Sequence, residues 1–119
     1  MPWEVEYTDE FEAWWETLTN LEQDSVTAAV NRLIEYGPTL GRPYADTIQS
    51  SRHANMKELR PRRGAIRILF AFDPRKVAIL LPGGDKRGQW QDWYRAAIPR
   101  ADYVYDEHLE ELRQEGLLS

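Results

Sequence analysis

Residues 56–72, MKELRPRRGAIRILFAF, decide the reading of this chain. Pro61-Arg62-Arg63-Gly64 has the composition of a tight turn, with Pro early and Gly late. After it, Ala65–Phe72 alternates. Ile66, Ile68, Phe70 and Phe72 share one face; Arg67, Leu69, Ala71 and Asp73 share the other, which is the period of a strand. Before the turn, His53–Arg60 is expected to be the partner strand. Asp73-Pro74-Arg75 turns again into Lys76–Leu81, whose VAILL run is apolar on both faces and fits a central strand. Short turns make these three strands an antiparallel meander.

Outward to the N-terminus, Trp3–Thr8 alternates and predicts a further strand. Phe11, Trp14, Trp15 and Leu18 follow at helical spacing, with Thr8 or Asp9 as cap. Asn20 is expected to cap a second helix, striped by Val26, Ala29, Val30, Leu33 and Ile34 and ended by Gly37-Pro38. Residues 37–48, GPTLGRPYADTI, read as a loop. Outward to the C-terminus, residues 82–93, PGGDKRGQWQDW, read as a second loop that glycines open to close approach. A helical region follows, expected to break near Pro99. Its later part is striped by Tyr105, His108, Leu109 and Leu112. The expected class is α+β: a small antiparallel sheet with an N-terminal helix pair and a C-terminal helix, ordered β-α-α-β-β-β-α. At 119 residues the chain is expected to be a single domain over 1–119.

Composition excludes several chemistries. There is no cysteine, so thiolate catalysis and Cys-ligated metals are out. His53 and His108 are far apart, and neither a metal nor a cofactor is expected. The start, MPWEVEYTDE, lacks a signal-peptide pattern, and no apolar run approaches the ~18 residues of a membrane span. A cytoplasmic protein with no membrane partner is expected. The net charge of -5 conceals a partition: residues 1–51 carry -8, residues 52–100 carry +8 and residues 101–119 carry -5. Such an asymmetry predicts a basic face on an acidic body.

The basic residues form two clusters. One is Lys57, Arg60, Arg62, Arg63 and Arg67. The other is Lys86-Arg87, followed by Trp90, Trp93, Tyr94 and Arg95. Cations hold phosphates and ring faces stack on bases, so this mixture suits single-stranded nucleic acid. Arg60, Arg62, Arg63, Arg87, Trp90, Trp93 and Arg95 are the expected RNA contacts. Arg67 stands out because it projects from an apolar strand towards an anion. That anion is a phosphate or a carboxylate of the chain itself, Glu58 being the candidate. GGDKRG lacks P-loop spacing and no G-x-S-x-G is present.

The order of elements, the segment MKELRPRRGAIRILFAFD, the strand VAILL and the later DKRG together resemble RelE/HigB-type toxins of bacterial toxin–antitoxin systems. The resemblance implies a metal-independent mRNA endonuclease acting on the ribosome. It also implies a cognate antitoxin, often with a helix-turn-helix domain. Carried over residue by residue, it implies catalytic roles for Lys57, Arg67, Lys86 and, near the C-terminal helix, Tyr94. Two other functions fit the same sheet: a non-catalytic ParE-type toxin that binds a protein such as gyrase, and a degenerate homologue that only binds nucleic acid.

Overall fold

The computed structural model describes residues 2–88 and 90–118, with Trp90 described as backbone only. Nine elements follow in chain order: β1 (Val5–Tyr7), α1 (Asp9–Trp15), α2 (Asn20–Tyr36), a 3₁₀ turn (Gly37–Thr39), β2 (Ala45–Thr47), β3 (Lys57–Leu59), β4 (Ile66–Phe72), β5 (Ala78–Asp85) and α3 (Trp90–Gln114). The strands form one sheet, ordered β1-β5-β4-β3-β2.

The expected meander is present, and the α+β class holds. The sheet is mixed, however, because β1 runs parallel to β5 while every other pairing is antiparallel. Ala45–Thr47 is a fifth strand inside a segment expected to be loop. It forms because β3 would otherwise be an open edge; Ala45, Asp46 and Thr47 pair with Leu59, Glu58 and Lys57. The strand before the turn is shorter than expected, Lys57–Leu59.

The larger departure is β5, which continues through Pro82-Gly83-Gly84 to Asp85 where a loop was expected. The two glycines do admit close approach, and what approaches is indole. A Cβ on Gly83 would lie 2.7 Å from the Trp14 ring, and one on Gly84 would lie 2.1 Å from Trp93 Nε1. Pro82 has no N–H to give, and the β4–β5 register shifts between Ile68 and Phe70, at that level of the ladder.

Helices cover both faces. On one, Phe11, Val26, Ala29 and Leu33 of α1 and α2 pack on Leu59, Ile66, Ile68, Phe70 and Leu80. On the other, Ile98, Ala101, Val104 and Tyr105 of α3 pack on Met56, Leu69, Ala71, Ile79 and Leu81. The strand alternation read from Ile66–Asp73 is therefore what separates the two cores. Thr8 caps α1, its Oγ1 accepting from the Phe11 N–H at 3.2 Å. Thr19, one residue before the expected cap, starts α2 with a full capping box to Glu22.

The helix α3 is unbroken at Pro99, contrary to expectation, and Pro99 is exposed. Side chains pin it along its length. Ser51 Oγ donates to Asp102 at 2.5 Å, His53 pairs with Asp106 at 2.7 Å, and His108 Nε2 donates to Asp73 at 2.9 Å. His108 is thus a polar tie and not a simple packing residue. No helix among the described residues is long and apolar enough to cross a membrane.

Candidate nucleic-acid interface

Register assembles the site on the α3 face of the sheet. Asp46 of β2 pairs with Glu58 of β3, Glu58 pairs with Leu69 of β4, and Arg67 of β4 pairs with Gly84 of β5. Cross-strand partners share a face, so Glu58 and Arg67 both point towards α3. Lys86 leaves just past the end of β5, and Tyr94 comes down from the first turns of α3.

Glu58 is the hub, and it is buried at 4% exposure. Its Oε2 accepts from Arg60 Nη2 at 2.7 Å and from Arg60 Nε at 3.1 Å. Its Oε1 accepts a short hydrogen bond from the Tyr94 hydroxyl. Arg67 Nε stands 3.9 Å from the same Oε1, and Arg67 Nη1 donates to the Ile66 carbonyl at 2.7 Å. Asp46 completes the set, accepting from Arg60 Nη2 at 3.3 Å. Lys86 Nζ lies 5.9 Å from the centre of the Tyr94 ring.

This crowding sets the protonation chemistry. Burial and the positive charge of Arg67 lower the Lys86 pKa, against a weaker opposing pull from Glu58. Burial, then the hydrogen bond to Glu58 and its charge, push the Tyr94 phenol up to about 12. Burial lowers the Arg60 pKa, but its bond to Glu58 and the two carboxylates outweigh it, leaving the pKa raised. A recess of about 450 Å³ opens here, lined by Glu58, Arg60, Lys86, Tyr94 and Ile98 among others. A neighbouring recess of about 480 Å³ is lined by Ser50, Gln91, Tyr94, Arg95 and Asp102 among others. Tyr94 borders both. The arrangement offers cations for an anion, a polarised hydroxyl and an amine of lowered pKa.

Of the four residues expected to be catalytic, three meet here: Arg67, Lys86 and Tyr94. Lys57 does not join them. It pairs with Phe70, so its side chain leaves by the α1/α2 face, where Nζ donates to the Pro38 carbonyl at 3.3 Å. The face is fixed by alternation, since Lys57 adjoins Glu58 in one strand.

The expected RNA contacts also separate. Arg60 lies in the site, held by Glu58 and Asp46. Arg62 reaches the Tyr44 ring at 5.5 Å, as Arg32 of α2 does at 4.6 Å, so it belongs to the α2 side. Arg63 is exposed, and its N–H donates to Ser25 Oγ at 3.2 Å. Arg87 pairs with Asp85 at 2.6 Å and Arg95 with Asp92 at 3.0 Å, both at the surface. Trp93 packs on Gly84 and meets the Tyr94 ring edge-on at 4.9 Å, so it is a wall of the site. The Trp90 side chain lies outside the described residues. Sequence reasoning treated Glu58 only as a possible partner of Arg67 and missed Asp46. The available signal was a carboxylate on the face that also carries Met56 and Leu69, both fully buried.

A sequence model of the family described as phage-derived Gp49-like protein matches residues 13–106. The chain belongs to this Gp49-like family. HigB3 of Mycobacterium tuberculosis, which carries the name toxin, is 54% identical over 91 residues, 76% of this chain and 80% of that protein. HigB2 of the same organism, also named a toxin, is 49% identical over 100 residues; they cover 82% of this chain and only 50% of HigB2. The Gp49-like chain also shares its fold with solved RelE structures. A mutant of Escherichia coli toxin RelE in the free state superposes with a TM-score of 0.62 at 13% identity, covering 84% of this chain and 98% of that one. A chain of the M. tuberculosis RelBE2 toxin–antitoxin complex does so at 0.56 and 17% identity, covering 71% and 99%. The chain is thus of RelE/HigB toxin type.

Proposed function

We propose that this protein is the toxin of a toxin–antitoxin pair and that it cuts mRNA on the ribosome without a metal. The observation that carries the reading is the gathering of Arg67 from β4, Lys86 from just past β5 and Tyr94 from α3 around the Glu58 carboxylate, with Lys86 and Tyr94 lining one recess. The 49–54% identity to proteins named toxins supports the first half and the chemistry of the recess supports the second. An antitoxin is the expected partner, since solved structures of this fold include the RelBE2 toxin–antitoxin complex of M. tuberculosis and the RelBE toxin–antitoxin complex of E. coli. A helix-turn-helix domain on that antitoxin is part of the same proposal.

The chemistry asked of the site is transesterification. The 2′-oxygen loses its proton and bonds to phosphorus, the P–O5′ bond breaks, and O5′ takes up a proton. Arg67 stabilises charge on the phosphate through its guanidinium. Lys86, its pKa lowered, is suited to giving the proton to O5′. Tyr94 borders the recess with Lys86.

A purified translation reaction, scored for cut mRNA, tests the reading. Cut message that persists in EDTA, with the ribosomes otherwise kept intact, is the expected result. RNA binding should weaken with salt, with a slope near ~0.7 per phosphate contact for a single strand. Growth arrest with intact message would point to the non-catalytic ParE-type function instead.

A further inference from the structure

We propose that Glu58 is a proton-relay residue behind Tyr94: the Tyr94 oxygen accepts the 2′-hydroxyl proton of the RNA while Tyr94 passes its own proton to Glu58. This rests on the RNA-cleaving reading above and supplies the proton acceptor which that reading leaves open.

Geometry carries the assignment. Glu58 borders the recess but is only 4% exposed, and both of its carboxylate oxygens are already hydrogen-bonded. Tyr94 borders both recesses and bridges the gap. Its hydroxyl proton already points inward, to Glu58 Oε1. A phenol that donates its proton can also accept through its oxygen. The two carboxylate oxygens divide the work: Oε2 is held by Arg60, while Oε1 is left to Tyr94, with Arg67 Nε at 3.9 Å. An ion pair that only stabilised the sheet would need Arg60 and no tyrosine.

Among the described residues, the groups facing Glu58 are few. They are Arg60 beyond β3, Asp46 of β2 through Arg60, Arg67 of β4, Lys86 beyond β5 and Tyr94 of α3; Asp85 at the end of β5 offsets part of the Arg67 charge. The Tyr94 phenol, pushed up to about 12, does not ionise by itself near neutrality. It holds its proton until another arrives, which is what a relay requires. The step balances. O2′–H breaks and O2′–P forms, P–O5′ breaks, and the Lys86 ammonium protonates O5′. Glu58 ends protonated and Lys86 neutral, and one proton returned through solvent resets both.

Single-turnover cleavage of a short mRNA on ribosomes tests this, with wild type, Glu58→Gln and Tyr94→Phe compared across pH. Glu58→Gln keeps one side-chain oxygen, which can still accept from Arg60, and sets against Tyr94 an amide NH2 that cannot take the proton. The expected result is a ~10²–10⁴-fold slower cleavage step with RNA binding unchanged, and loss of the fall in rate at acid pH. Tyr94→Phe should lose as much, and the double variant little more, because the two act as a unit. If Glu58→Gln unfolds, Tyr94→Phe carries the test alone. Unchanged cleavage in Tyr94→Phe or in folded Glu58→Gln, or an acid limb that persists, overturns the relay while the RNA-cleaving reading stands. A wild type that cuts no RNA overturns both.

Discussion

The Trp93 indole packs over Gly84, so close that a Cβ on Gly84 would sit 2.1 Å from its Nε1. Gly84 is also the register partner of Arg67. The contact therefore sets the height of α3 above the strand that carries Arg67, and so the distance from Tyr94 to the sheet. Gly84→Ala should cost ~1–3 kcal/mol, the usual range for overpacking, and reduce cleavage by moving Tyr94. Gly41→Ala is the control: its Cβ would meet nothing closer than a carbonyl at 4.0 Å. It should stay within ~0.5 kcal/mol of wild type. Paired urea titrations of the two variants check this.

Arg67→Ala separates phosphate binding from support of the fold. Glu58 keeps Arg60 and Tyr94 when Arg67 is removed, so its carboxylate is not stranded. The variant loses the bond to the Ile66 carbonyl, a net of ~1 kcal/mol. Cleavage should fall 10²–10³-fold, about what one charge-stabilising donor contributes. Thermal unfolding and mRNA cleavage on the same preparation decide it; a collapse in stability, or full activity, contradicts the assignment.

Much of the fold was legible because its signals are periodic. The Ile66–Phe72 alternation and the Phe11, Trp14, Trp15 stripe each name the face that they bury. What was not legible depends on partners distant in sequence. Ala45–Thr47 becomes a strand only because Glu58 and its neighbours offer an edge, and three residues hold no period. Gly83 and Gly84 read as loop until Trp14 and Trp93 are seen filling the space above them. The site was half legible for the same reason. Arg67, Lys86 and Tyr94 are residue types that announce themselves, but Lys57 and Arg67 fall on opposite faces through a pairing register that neither local sequence displays. Glu58 was hidden by its sign: in a search for cations, the carboxylate that organises them is read as their counter-ion.

Asp73 should govern acid stability. Its buried carboxylate accepts from Arg75 at 2.7 and 3.0 Å and from His108 at 2.9 Å. Burial pushes its pKa up, but bonds from Arg75, His108 and the Val77 N–H outweigh that and hold it below the usual carboxylate range. A depressed folded pKa means stability that is present above the unfolded value of ~3.9 and lost as pH falls through the folded value. Asp73→Asn should cost ~3 kcal/mol at pH 7, in the range for breaking a buried pair. Because wild type loses the same contribution in acid, the gap between them should narrow below about pH 4. Urea unfolding at pH 7 and pH 3 measures it, and a gap that is constant with pH would refute the role.

The two lysines give the sharpest contrast, since sequence reasoning grouped them and the structure does not. Lys57 leaves by the α1/α2 face towards the Pro38 carbonyl, so Lys57→Ala should cut RNA at the wild-type rate. Lys86→Ala should lose ~10²-fold, at the low end for a general acid. Lys86→Arg tells charge from proton transfer. Arginine keeps the positive charge beside Arg67 and Tyr94 but does not give up its proton in a protein. If Lys86 only attracts phosphate, Lys86→Arg is active; if it protonates O5′, Lys86→Arg is nearly as slow as Lys86→Ala. The pH profile adds a sign. Burial and Arg67 lower the Lys86 pKa, so the protonated acid is lost below the ordinary lysine value of ~10.4. The wild-type rate should therefore decline on the alkaline side before that value, and in Lys86→Arg that decline should disappear along with most of the rate. A fully active Lys86→Arg with the wild-type profile would remove Lys86 from proton transfer and leave it as a phosphate contact.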